Sequence, residues 1–140
     1  MNKTDEAEAA EKKRLKGIWW SKKVDNKKDP MELFEKFYAW YTMQEKKCCY
    51  CGITERELQE LIDSGRITSK RLPTRGRHLE IERKSPDIGY DNFDNLSLAC
   101  YWCNNAKTDT FTAAEFKQVG EVFSRIWQNR RNSKPMSKEC

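Results

Sequence analysis

The sequence predicts a small α+β fold in which helices flank a short extended core, and three observations carry that prediction. Cys48-Cys49-Tyr50-Cys51-Gly52 and Cys100-Tyr101-Trp102-Cys103-Asn104 form two C-x-x-C knuckles. His78-Leu79-Glu80-Ile81-Glu82-Arg83 alternates polar and apolar residues with the period of a strand. The segments that follow Asp29 and Thr112 repeat apolar residues at three- and four-residue spacing, the period of a helix with one buried face.

The knuckles point to a metal. A C-x-x-C turn sets two sulfurs on one side of a tight bend, and two such bends make the four-thiolate tetrahedron of structural zinc, with Zn–S distances of about 2.3 Å. Cys48, Cys51, Cys100 and Cys103 are therefore the expected Zn²⁺ ligands. Four protein ligands leave no open position, so this ion holds structure rather than substrate. One C-x-x-C alone would suit a redox dithiol, but two of them without a βαβ context favour zinc. The span from Gly52 to Ala99 is far longer than the loop of roughly 15 to 20 residues in a simple zinc ribbon, so something folded sits between the knuckles. Cys49 and Cys140 are left over.

Composition sets limits on the rest. With 140 residues, 37% of them hydrophobic, the chain supplies one modest core, which a metal staple would reinforce. We expect a basic N-terminal arm over 1–28, one domain over 29–130, and a basic, mobile tail over 131–140. A formal charge of +5 suits a polyanionic partner as well as it suits a merely hydrated surface. No apolar run is long enough to span a bilayer and no signal-peptide pattern opens the chain, so no membrane partner and a reducing cytoplasm are expected.

Along the chain, Lys12 to Lys23 interleaves cations with Trp19 and Trp20. Such a stretch grips phosphates while rings stack, or else its tryptophans pin the arm to a core. Asp29-Pro30 reads as an N-cap and first helical residue, and Leu33, Phe34, Phe37, Tyr38 and Tyr41 give the following helix its apolar face. Thr54-Glu55-Arg56-Glu57 matches a capping box, before a short helix buried through Leu58, Leu61 and Ile62 and closed by glycine at Gly65. Arg66 to Arg77 is a basic loop broken by Pro73 and Gly76. The strand from His78 follows, with Leu79 and Ile81 toward the core and His78, Glu80 and Glu82 on the other face. Phe93 to Ala99 returns as an extended segment to the second knuckle, and Asn104 opens a helix. Thr112 to Glu115 repeats the capping box before a helix bearing Phe116, Val119, Val122, Phe123, Ile126 and Trp127.

Taken together, Cys-x-x-Cys-Gly, Leu79-Glu80-Ile81-Glu82-Arg83-Lys84 and Asn95-Leu96-Ser97-Leu98-Ala99-Cys100-x-x-Cys103-Asn104-x-x-Lys107 resemble the zinc-stabilised HNH endonucleases. The likeness is to small phage and bacterial HNH proteins and PacI-type restriction endonucleases, and spans roughly Tyr38 to Trp127. It implies a ββα-metal (HNH) core with a four-cysteine structural zinc, flanked by helices. It also implies cleavage of double-stranded DNA to 5′-phosphate and 3′-hydroxyl ends, with a catalytic Mg²⁺ or Mn²⁺ held by Glu82 and Asn104 while Asn95 braces the loop.

Two departures from the family pattern matter. Glu82 replaces the usual aspartate, and Arg83 stands where the family carries its histidine base. A guanidinium with a pKa above about 12 takes no proton near neutral pH, so Arg83 is expected to clamp phosphate. The base must come from elsewhere. Tyr50, in the first knuckle, and His78, the single histidine, are the leading candidates. Glu80, about 7 Å from Glu82 on the same face, is a third, whereas His78 on a regular strand lies about 13 Å from Glu82. Expected nucleic-acid contacts are Lys16, Trp19, Lys22 and Lys23 in the arm, Arg71, Arg75 and Arg77 in the loop, and Lys107. Symmetric cutting with one site per chain would call for a two-fold dimer. The competing readings are a non-catalytic zinc-containing nucleic-acid-binding module and a protein-interaction scaffold.

Overall fold

The computed structural model describes residues 3–22, 30–72 and 74–133. In chain order the elements are α1 (Lys3–Ser21), α2 (Pro30–Met43), α3 (Glu55–Asp63), β1 (Glu80–Arg83), a 3-10 turn (Phe93–Asn95), β2 (Leu96–Ala99), α4 (Tyr101–Lys107) and α5 (Ala113–Arg131). They divide into two compact units, Met1–Gln44 with Ile88–Asn95, and Glu45–Asp87 with Leu96–Cys140. The expected N-cap Asp29 and arm residue Lys23, and the tail from residue 134, lie outside the described residues.

The first unit is built on α1 and α2. Helix α2 carries its apolar face as the spacing predicts, with Leu33, Phe34, Phe37 and Tyr41 all buried. Fully burying a side chain such as Phe37 contributes about 1.5–3 kcal/mol. Trp19 stacks on Phe37 with ring centroids 4.4 Å apart and lies 6.0 Å from the Phe93 ring. It is only 2% exposed, so it packs the unit and cannot stack on a base, which corrects its expected role as a nucleic-acid contact. Trp20 remains exposed. Lys22 sits over the Tyr90 ring, and Asn95 is buried, its Nδ2 donating to the Ile88 carbonyl at 3.3 Å and so tying the ends of the 88–95 loop together.

The second unit holds the sheet and both knuckles. Strands β1 and β2 pair antiparallel, with Glu80 opposite Ala99, Ile81 opposite Leu98, Glu82 opposite Ser97 and Arg83 opposite Leu96. With α4 immediately after β2, the chain order is ββα. The strand starts at Glu80 rather than His78, and residues 93–95 turn before β2 begins. Helix α4 begins at Tyr101, inside the second knuckle, because Cys100 itself is the N-cap and its sulfur accepts the Cys103 N–H. Both capping boxes form as the sequence predicts, Thr54 with Glu57 on α3 and Thr112 with Glu115 on α5. Each such cap contributes about 1 kcal/mol by satisfying N–H groups that the first helical turn leaves without partners. Gly65 ends α3 with φ +76°, a conformation that a side chain would resist.

Helix α5 buries Phe116, Gly120 and Trp127, whereas Val119, Val122 and Ile126 of the expected apolar set stay exposed. Gly120 explains how the helix is seated. A Cβ at that position would stand 2.4 Å from the Tyr50 carbonyl oxygen, so the helix lies directly on the first knuckle. Among the described residues no helix is long and apolar enough to cross a membrane.

Candidate active site

Cys48, Cys51, Cys100 and Cys103 are buried, and their sulfurs all lie within 4.8 Å of one another. A tetrahedron with metal–sulfur bonds of about 2.3 Å has edges of about 3.8 Å, and Cys51 Sγ to Cys100 Sγ is 3.8 Å. The backbone N–H groups of Tyr50 and Cys51 point at Cys48 Sγ, and that of Cys103 at Cys100 Sγ. The donor set is closed and all sulfur, which fits structural zinc. Cys49 is exposed and outside the cluster. Its backbone N–H donates to Leu98 O at 2.8 Å, which ties the first knuckle to β2.

Helix α4 lies against β1 so that two residues one turn apart each meet a carboxylate. Asn104 Nδ2 donates to Glu80 Oε1 at 2.8 Å, and Lys107 Nζ lies 3.3 Å from Glu82 Oε1 and donates to the Arg83 carbonyl at 3.1 Å. The i, i+3 step on the helix matches the i, i+2 step on the strand. The expected ligands Glu82 and Asn104 thus belong to one face, but the carboxylate that Asn104 touches is that of Glu80.

Burial separates the two carboxylates. Glu82 is 4% exposed, and its Oε2 is buried with no hydrogen-bond partner among the described residues. Desolvation raises its pKa against the opposing pull of Lys107. Glu80 is half-buried and also bound by Arg75. Lys107 is 1% exposed, so it neutralises Glu82 and does not reach a phosphate, which corrects its expected place among the nucleic-acid contacts.

The candidate bases differ as sharply. The Tyr50 hydroxyl is buried, with no well-formed hydrogen bond among the described residues, and its ring is edge-on to Phe116 at 5.1 Å. Burial, with the Glu82 charge nearby, pushes the phenol above its ordinary value, so Tyr50 is a poor base. His78 is accessible, and its Nδ1 lies 2.6 Å from Glu55 Oε1 at the start of α3. In the neutral Nδ1–H tautomer, which that carboxylate favours by accepting the proton, Nε2 carries the lone pair. Arg83 is half-buried, and strand alternation puts it on the Ile81 face. Arg71 is exposed. Arg77 pairs with Asp63 at 2.8 Å and Arg75 with Glu80, acids brought from elsewhere in the fold to a loop that holds none of its own.

A search of solved structures matches this chain to the rare-cutting HNH restriction endonuclease PacI, described for its mechanism of DNA perturbation. The match has 31% sequence identity over 77% of this chain and 70% of that one, with a TM-score of 0.55. The chain belongs to the HNH endonuclease family. No protein-family model and no curated protein matches it. For an HNH chain the sulfur cluster, the antiparallel β1–β2 pair and α4 make up the expected ββα core with its structural metal site. Missed in the sequence were the Glu80–Asn104 and His78–Glu55 contacts, because both depend on which helix lands beside the strand.

Proposed function

We propose that the protein is a metal-dependent DNA endonuclease that hydrolyses phosphodiester bonds to 5′-phosphate and 3′-hydroxyl ends. The observation that supports this most is the carboxylate face of β1 covered by the Asn104 face of α4, in a chain similar to an HNH endonuclease. Glu80, Glu82 and the Asn104 amide offer hard oxygens, and Glu82 Oε2 is a buried acceptor with no hydrogen-bond partner among the described residues, a donor set that fits Mg²⁺ or Mn²⁺. When bound, such a cation would stabilise charge on the scissile phosphate and the leaving oxygen.

The chain's own groups supply the rest. His78 is the base in this reading: Glu55 fixes its ring by accepting the Nδ1 proton, and Nε2 takes a proton from the attacking water. His78 stands two residues before Glu80, about 7 Å along an extended chain, which puts it nearer to Glu80 than to Glu82. Lys107 keeps Glu82 in place. Arg71 and the lysines of α1 provide phosphate contacts, and symmetric cutting would use two copies of the chain.

A plasmid-nicking assay with Mg²⁺ or Mn²⁺ tests the reading. Asn104→Ala and Glu82→Gln should abolish nicking, and His78→Ala should slow it by about 10²-fold or more, the usual contribution of a general base. Absence of nicking by the wild type, or nicking unchanged in Asn104→Ala and Glu82→Gln, rejects catalysis. Because Arg83 replaces the histidine that the family motif carries, a binding-only zinc module is the second reading. DNA binding that weakens steeply with salt, without cleavage, would establish it.

A further inference from the structure

Arg75 clamps the Glu80 carboxylate. Its Nε donates to Glu80 Oε2 at 3.0 Å and its Nη2 to Oε1 at 2.6 Å, while the same Oε1 accepts Asn104 Nδ2 at 2.8 Å. One carboxylate therefore joins β1, α4 and the basic loop. The loop is held in place to do this. The Arg75 guanidinium lies 4.5 Å over the Tyr101 ring, and the next residue, Gly76, has φ +105° and presses against Trp102, where a Cβ would stand 2.9 Å from the ring. Tyr101 and Trp102, the two residues between the cysteines of the second knuckle, thus fix where Arg75 reaches.

The Glu80 carboxylate is also the accessible one. The side chains of Arg75 and Glu80 are 44% and 20% exposed, against 5% for Glu82, which Lys107 already neutralises. A cation arriving from solvent meets Glu80 first and finds a guanidinium on it. That guanidinium cannot leave by losing a proton. It leaves when a stronger cation displaces it or another anion draws it away, and a phosphate offers the same two-oxygen acceptor as the carboxylate.

We propose that Arg75 is a resident counter-cation of the exchangeable-cation site. It occupies Glu80 in the DNA-free protein, and the divalent ion takes Glu80 and Asn104 only as Arg75 moves off toward a phosphate. The identity of that phosphate as DNA rests on the nuclease reading; the competition between Arg75 and the cation does not.

Mn²⁺ titration of the zinc-loaded protein without DNA, following free Mn²⁺ by electron paramagnetic resonance, reads this competition directly. Arg75→Gln should bind Mn²⁺ about three- to fivefold more tightly than wild type, as expected for removing one partly exposed arginine–carboxylate clamp. Adding Glu80→Gln to Arg75→Gln should abolish that gain. Unchanged or weaker binding by Arg75→Gln overturns the proposal. So does an equal gain in the double variant, which would trace the effect to net charge rather than to Glu80. If plasmid is never nicked yet Arg75→Gln tightens Mn²⁺ binding, the nuclease reading falls and the resident-cation site stands. If nicking depends on Asn104 but Mn²⁺ affinity ignores Arg75, the reverse holds.

Discussion

A lysine with 1% of its side chain exposed cannot trade partners with solvent, so Lys107 and Glu82 must be considered together. Each charge makes the other's burial tolerable, and removing one leaves the other desolvated without compensation, at a cost of about 3–5 kcal/mol. Lys107→Met and Glu82→Gln should each destabilise the protein by that order in urea unfolding. The double variant should recover most of the loss, since a neutral pair of similar size suits a buried site. Strictly additive effects would show that the two side chains do not depend on each other. The sequence shows both residues at their motif positions but not their pairing, because it is set by the placement of α4 on β1. From spacing alone, a lysine four residues beyond a C-x-x-C knuckle is indistinguishable from a surface phosphate contact.

Helix α5 depends on an absent side chain. Glycine inside a helix is ordinarily about 1 kcal/mol worse than alanine, so Gly→Ala should help wherever space allows. At Gly17 in α1 nothing among the described residues lies within 4 Å of an added Cβ, and Gly17→Ala should raise stability by up to about 1 kcal/mol. At Gly120 the same methyl would stand 2.4 Å from the Tyr50 carbonyl oxygen, backbone that cannot yield without moving the first knuckle. Gly120→Ala should therefore lower stability by about 1–3 kcal/mol despite its better helix propensity. Thermal melts of the two variants give opposite signs if α5 is seated as described, and a gain in both would unseat it. The ends of α3 and α5 were legible because a capping box is written within four residues, as at Thr54–Glu57 and Thr112–Glu115. Which side of α5 is buried was not. Val119, Val122 and Ile126 satisfy the helical period as well as Phe116 and Trp127 do, and only contact with the knuckle decides between them.

At the scale of the whole molecule, the sulfur cluster closes the second unit by joining the segment before α3 to the junction of β2 and α4. The two strands are four residues each, and a core of this size supplies only about 3–5 kcal/mol unaided. A four-thiolate zinc site supplies apparent binding free energy of about 10–16 kcal/mol at neutral pH, larger than that whole margin. Loss of the metal should therefore unfold the unit rather than loosen it. A strong chelator should release one zinc per chain, as read by a chromophoric indicator, and the Trp102–Trp127 pair, 5.4 Å apart with Trp127 buried, should red-shift in fluorescence as the helical circular dichroism falls. Cys103→Ser should behave like the chelated protein. Cys49→Ser should bind zinc and fold as wild type does, since Cys49 is exposed and outside the cluster. A protein that keeps its dichroism and its tryptophan emission with no metal bound would mean that hydrophobic packing alone positions β1 against α4, and the candidate site would then survive chelation.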